Sequence, residues 1–328
     1  MYDLQIVSIT GRWYTIMASN FETGFFVKEK AWHGLGTIVQ DAPSSADALK
    51  MAELDWEVRQ EPVFVKVGDD HVLVPNAMAN IRSSDNSVLG IMTEKYQIVQ
   101  NVEAFSFTDA LLDTNVVYES AGSLAKGKRV WMLARMPEVY KIAGDDVEPF
   151  LVFTNSFDGK GAIRVALTPV RVVCQNTLNM ALATAKRQWS TKHMGNMQEK
   201  MLEAQRTLEL ATNYMQGLSE EAERLLMKKI SVDNLDNFLN ALFPMDDEAS
   251  NRKINNVIEL RNSFRTAYDS PDLANFTGTA WGVINAVADM VDHAVPQRMT
   301  ATYNEKRFES IIDGHKVLDT AQAILMAV

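Results

Sequence analysis

Basic side chains gather around one stretch of the sequence. Lys126, Lys128 and Arg129 stand together and Lys160 sits at a later turn; Arg164 and Arg171 follow it, then Lys186 and Arg187. Such a set can neutralise successive phosphates of a nucleic-acid backbone, a chemistry that needs charge and reach but no base-specific geometry. The bland alternative is an ordinary solvated surface. Arg164 and Arg171 are seven residues apart, so an unbroken strand places them on opposite sides unless Pro169 introduces a bulge. Trp189 and His193 fall between Lys186, Arg187, Lys192 and Lys200 on what reads as a helix. Trp189 reads either as a core anchor or as a platform on which a base could stack.

Other chemistries find less support. Cys174 is the single cysteine, which excludes an internal disulfide framework. It follows the apolar run Val170-Arg171-Val172-Val173 and is expected to be buried and chemically quiet, since a nucleophilic thiol needs a neighbouring base. Asn176 and Thr177 read as caps for a following helix. The five histidines (His33, His71, His193, His293, His315) show no metal-ligand spacing. Trp32-His33-Gly34-Leu35-Gly36 lacks the third glycine and the strand-turn-helix setting of a dinucleotide fingerprint. With no P-loop, no GxSxG and no defensible carboxylate set, the reading leans away from an enzyme and expects no metal and no cofactor.

The elements that must carry these residues follow from composition and periodicity. The chain has 328 residues, 47% of them hydrophobic and 23% charged, which suits a buried core and rules out disorder over most of its length. No apolar run reaches the ~18 residues of a membrane span, so no membrane role and a cytoplasmic location are expected, the host cell's cytoplasm if the gene is phage-borne. Met1 to Ile16 is interrupted by Asp3 and Arg12 and fits a secretory signal poorly, so residues 1–24 read as an N-terminal arm or extension.

Residues 25–176 read as a β-rich α+β domain. Trp56 to Val67 and His71 to Val74 flank Gly68-Asp69-Asp70, and short helices are predicted over Ser45–Leu54 and Val102–Leu112. Val116–Ser123 and Arg129–Met136 flank a turn containing Gly127, where positive φ is cheap. Phe150–Asn155 and Ala162–Leu167 flank Asp158-Gly159, a strong hairpin signal. The segment reads as an antiparallel meander with one face packed and one free, ending or reaching an edge at Pro169. Residues 177–328 read as a helical region, with Leu178, Ala181, Leu182 and Ala185 opening a helical period that resumes at Met197, Met201, Leu202 and Leu208. The fold class is α+β: an antiparallel, meander-rich N-terminal half and a helical C-terminal half.

Several ordered motifs support a family resemblance: Ala31-Trp32-His33-Gly34-Leu35-Gly36-Thr37, Asp55-Trp56, Glu94-Lys95-Tyr96-Gln97-Ile98-Val99-Gln100-Asn101, Glu119-Ser120-Ala121-Gly122-Ser123, Thr154-Asn155-Ser156-Phe157-Asp158-Gly159, Thr168 to Leu178, and Gly278-Thr279-Ala280-Trp281-Gly282 with Asn285-Ala286 and Asp292-His293. They resemble a family of phage and plasmid proteins known by the domain-of-unknown-function label nine-three-two. The resemblance implies a phage or plasmid origin and assigns no activity.

The meander followed by a long helix is also similar in outline to the core of phage single-strand annealing proteins, homo-oligomers that hold single-stranded DNA in a basic groove at a sheet–helix junction. That likeness implies a non-catalytic protein that binds or anneals single-stranded DNA through Lys126, Lys128, Arg129, Lys160, Arg164, Arg171, Lys186 and Arg187. The formal charge of −10 is compatible if acidity is segregated to the helical half, as Glu220, Glu221, Glu223, Asp246, Asp247 and Glu248 suggest. The alternative is an interaction factor with no nucleic-acid role that acts on a host protein, its methionine-rich helices offering an adaptable surface.

Overall fold

The computed structural model describes residues 44–112, 117–136, 138–171, 187–208, 211–246, 248–293 and 314–327, with the strand segments Ser8–Ile9, Arg12–Trp13, Phe21–Val27 and Thr37–Val39. Cys174, Asn176, Thr177, Lys186 and the Trp32-His33-Gly34 motif lie outside the described residues, and so does the side chain of Arg171.

Thirteen strands and eight α-helices are described. Strands β1 (Ser8–Ile9) and β2 (Arg12–Trp13) pair with each other. The main sheet has the order β13-β12-β11-β9-β8-β3-β4, formed by β3 (Phe21–Val27), β4 (Thr37–Val39), β8 (Val117–Leu124), β9 (Arg129–Arg135), β11 (Asp145–Ser156), β12 (Ile163–Arg171) and β13 (Gln188–Thr191). Strand β10 (Tyr140–Ile142) adds to β11. All pairings are antiparallel except β3–β4. A second antiparallel sheet orders β5 (Val58–Val67), β6 (Asp70–Arg82) and β7 (Val88–Met92).

The Asp158-Gly159 hairpin forms as its sequence predicts. The Ser156 hydroxyl donates to Asp158 Oδ1 (2.6 Å), the Lys160 amide donates to the same oxygen (2.9 Å), and the Gly161 amide donates to Ser156 Oγ (3.2 Å). One carboxylate and one hydroxyl thus satisfy backbone donors that a loop would otherwise leave bare.

Three local expectations are corrected. Pro169 does not end the strand: it lies opposite Pro149 inside the β11–β12 ladder, where neither residue has an N–H to lose. The ladder runs from Val147↔Arg171 to Thr154↔Arg164 without a register shift, so no bulge realigns positions 164 and 171, and they stay on opposite faces. Gln188–Thr191 is a strand paired with Ile163–Ala166, not part of a helix. The expected free face of the meander is corrected as well. Phe153, Met132 and Val165 are buried on one face, yet Trp131, Val152 and Ala166 are buried on the other.

Helices α1 (Ser45–Met51), α2 (Asn101–Leu112) and α3 (Met197–Leu208) cover the first face. There Leu54, Phe105, Tyr118, Met132, Phe153 and Trp189 form one core. The second core belongs to α4 (Ala211–Met227), α5 (Val232–Leu242), α6 (Asn251–Tyr268), α7 (Ala280–His293) and α8 (Lys316–Ala327), and reaches the sheet at Val147 and Leu167. Helix α7 is buried on every side from Ala280 to Ala288, the pattern of a central core helix. Gly282 permits this, because a Cβ there would lie 2.3 Å from the Phe276 carbonyl oxygen. Among the described residues, no helix is long and apolar enough to cross a membrane.

Candidate nucleic-acid interface

The antiparallel order brings two basic turns to the same end of the main sheet. Strand β9 starts at Arg129, which pairs with Ser156, the last residue of β11. The Phe157 amide then donates to the Lys128 carbonyl (2.7 Å), tying the β8–β9 turn to the β11–β12 turn. Lys126 and Lys160 are exposed at these turns, while Lys128 and Arg129 are half-buried. On the outer side, the last β13 residue, Thr191, pairs with Ile163, so Lys192 continues beside the β11–β12 turn. Strands lie about 4.8 Å apart, so the four spacings from β13 to β8 set Lys192, Lys160, Lys128 and Lys126 in a row on the order of 20 Å long. Asp158 places one carboxylate within this row, accepting from the Ser156 hydroxyl and the Lys160 amide.

The backbone of the β8–β9 turn is unusual. Ala125 (φ 54°), Lys126 (φ 60°) and Gly127 (φ 75°) are all left-handed. Gly127 suits this, as the sequence predicts, but a lysine held there carries a conformational cost of roughly 1 kcal/mol. An asparagine or glycine would fit the turn better, so the lysine has no purely local rationale.

A buried polar knot ties this end together, and three of the motifs noted in the sequence contribute to it. Tyr96 donates its hydroxyl to the Ser156 carbonyl and stacks on His193, with ring centroids 4.5 Å apart. The Gln97 amide donates to the His193 carbonyl (2.9 Å), while His193 Nδ1 lies 2.9 Å from the Gln97 carbonyl. Asn155 donates to the Val99 carbonyl (2.8 Å), and Asn80 donates to the Phe157 carbonyl (3.0 Å). Gln100 behaves like one more strand residue: its amide accepts from Val58 N (2.9 Å) and donates to Val58 O (2.8 Å). Trp56 packs edge-on against Phe157 (5.4 Å) beneath the Arg82 guanidinium. Gly90 is required here, because a Cβ on it would lie 2.6 Å from Asp158 Cα.

Electrostatics follow burial. His193 is 3% exposed, and burial holds its pKa below 6.5; the Lys200 ammonium acts in the same sense, and the Gln97 carbonyl and Asp158 oppose it. Burial likewise pushes the Tyr96 phenol well above its usual range. Both groups are therefore neutral in the folded protein near pH 7. Lys200 donates to the carbonyls of Lys192 and Met194, fixing the loop after β13.

The sequence-predicted residues thus divide. Lys126, Lys128, Arg129 and Lys160 are brought together. Arg164 is half-buried on β12, between Thr154 and Ser190, a short step inside the row. Arg171 lies at the far end of β12, opposite Val147. Arg187 is corrected: it is 9% exposed and donates to the Leu167 carbonyl near Asp319, so it braces the sheet's other half instead of lining a groove. Of the two readings of Trp189 the structure supports the core anchor: it is 8% exposed in the first core and closed to base stacking. Lys192, noted in the sequence only as a helix cation, joins the row because β13 is a strand, whereas Lys200 lies on α3 and holds the loop after β13. Among the described residues no group of three or more metal-capable side chains comes together.

The fold and this row of cations define an α+β protein with a basic sheet end. Residues 88–312 match the family described as a domain of unknown function, DUF932, and the chain belongs to that family. No curated protein and no solved structure matches it.

Proposed function

We propose that the protein is a non-catalytic single-stranded DNA-binding protein of phage or plasmid origin, holding or annealing strands in the cell cytoplasm. The observation that carries this reading is the row formed by Lys126, Lys128, Lys160 and Lys192 along one sheet end, in a chain of net charge −10. Like-signed charges gathered on a rigid edge form a track for a flexible polyanion, and the tied turns keep its spacing fixed. With Trp189 buried, affinity rests on phosphate contacts and depends little on base sequence. The test is a fluorescence-anisotropy titration of labelled single-stranded and duplex oligonucleotides across a salt series. Binding that persists undiminished at high salt would sink the electrostatic mechanism.

A further inference from the structure

The second sheet carries a projecting arm. Beyond Pro62↔Met78 the β5–β6 register shifts, and pairing resumes at Phe64↔Leu73, Val65↔Val72, Lys66↔His71 and Val67↔Asp70, with no third strand alongside among the described residues. Every residue from Glu61 to Leu73 except Val63 is exposed. Phe64 (54%), Val67 (59%) and Leu73 (53%) would belong in a core if one covered them. A bare two-stranded ribbon with apolar residues on both faces is marginal alone and points to a partner.

The charges select among partners. Glu61, Asp69 and Asp70 outnumber Lys66 along the arm from Glu61 to Leu73, and its tip is Gly68-Asp69-Asp70. An acidic tip repels both nucleic acid and an anionic bilayer, so the partner is a protein. The same chain supplies a matching surface. A groove of about 620 Å³ between α2 and α3 is walled by Val102, Phe107, Met197, Met201 and Leu202, with Glu103 at its side. Val102 and Leu202 are each 54% exposed. One face of the ribbon pairs Phe64 with Leu73 and, one step on, Lys66 with His71. That is an apolar patch with the Lys66 cation adjoining it, the complement of an apolar groove beside a carboxylate.

The arm does not occupy its own groove, whose lining includes no residue of β5 or β6. Its base, Val58, is fastened to Gln100 at the start of α2, and nine residues of strand carry the tip roughly 30 Å away.

We infer that the β5–β6 arm docks into the α2–α3 groove of a second copy of this chain, the Phe64–Leu73 face inward and Lys66 beside Glu103. A reciprocal exchange forms a closed two-fold pair and doubles the buried area, bringing it toward that of a stable interface. The inference is independent of DNA binding.

Sedimentation of the DNA-free protein tests it, with circular dichroism confirming that each variant folds. The wild type should associate with rising concentration. Phe64→Ser with Leu73→Ser, and separately Val102→Asp with Leu202→Glu, should each sediment at the single-chain mass of 36.7 kDa. An equimolar mixture of the two variants keeps one intact arm and one intact groove and should regain a two-chain species. A wild type that stays at the single-chain mass overturns the inference, as does a groove variant that associates like the wild type.

Discussion

At the scale of single residues, two side chains sit where local preference would not put them. His193 is buried with its Nε2 making no hydrogen bond, and burial depresses its pKa. The unfolded chain therefore takes up a proton first as pH falls through about 6.5. Its contribution to stability is full above that pH and is lost progressively down to the folded-state pKa. Urea midpoints measured from pH 8 to pH 5 should fall with pH, and His193→Gln should flatten the dependence; an unchanged slope in the variant would remove His193 as its source. Lys126 is the second case, a left-handed lysine at an exposed turn. Lys126→Asn should raise stability by roughly 1 kcal/mol while weakening DNA binding. If it leaves affinity unchanged, the strain has no bearing on binding. Residue roles were only half legible in the sequence. Lysine clustering showed at once, but burial of Trp189 and Arg187 depends on the pairing of a strand only four residues long.

At the scale of elements, turn chemistry was readable and side-chain substitution for backbone was not. Asp158-Gly159 announced its hairpin because the signal lies within a few adjacent residues. Gln100 pairing with Val58, and Asn155 with Val99, bridge 42 and 56 residues, and no local pattern encodes such partners. The strand Gln188–Thr191 was hidden for the opposite reason: a short polar strand between cations carries no period-2 apolar signal, and the neighbouring helical spacing overrides it. Gly90→Ala tests how tightly the elements are joined. Its Cβ would meet rigid backbone at Asp158, so the protein should lose about 1–3 kcal/mol in chemical denaturation. A neutral result would mean that β7 and the β11–β12 turn separate easily and that the basic row is not rigid.

For the whole molecule, the sequence carried the order of the two halves, because a change from strand to helical period is visible along the chain. How the halves share the sheet was not visible: Val147 and Leu167 belong to the helical core, while Trp189 and α3 belong to the first. Both cores pack on the sheet whose end presents the cations. The measurement that tests the DNA-binding role of that end most directly is the affinity for single-stranded oligonucleotide across salt, for wild type and for Lys126→Ala with Lys160→Ala. Four phosphate contacts give a log–log slope near −3 for the wild type, and loss of two contacts should reduce it by about 1.4 with the fold intact. A wild type with no affinity at low salt, or a variant with the wild-type slope, would contradict the assignment of this sheet end to DNA.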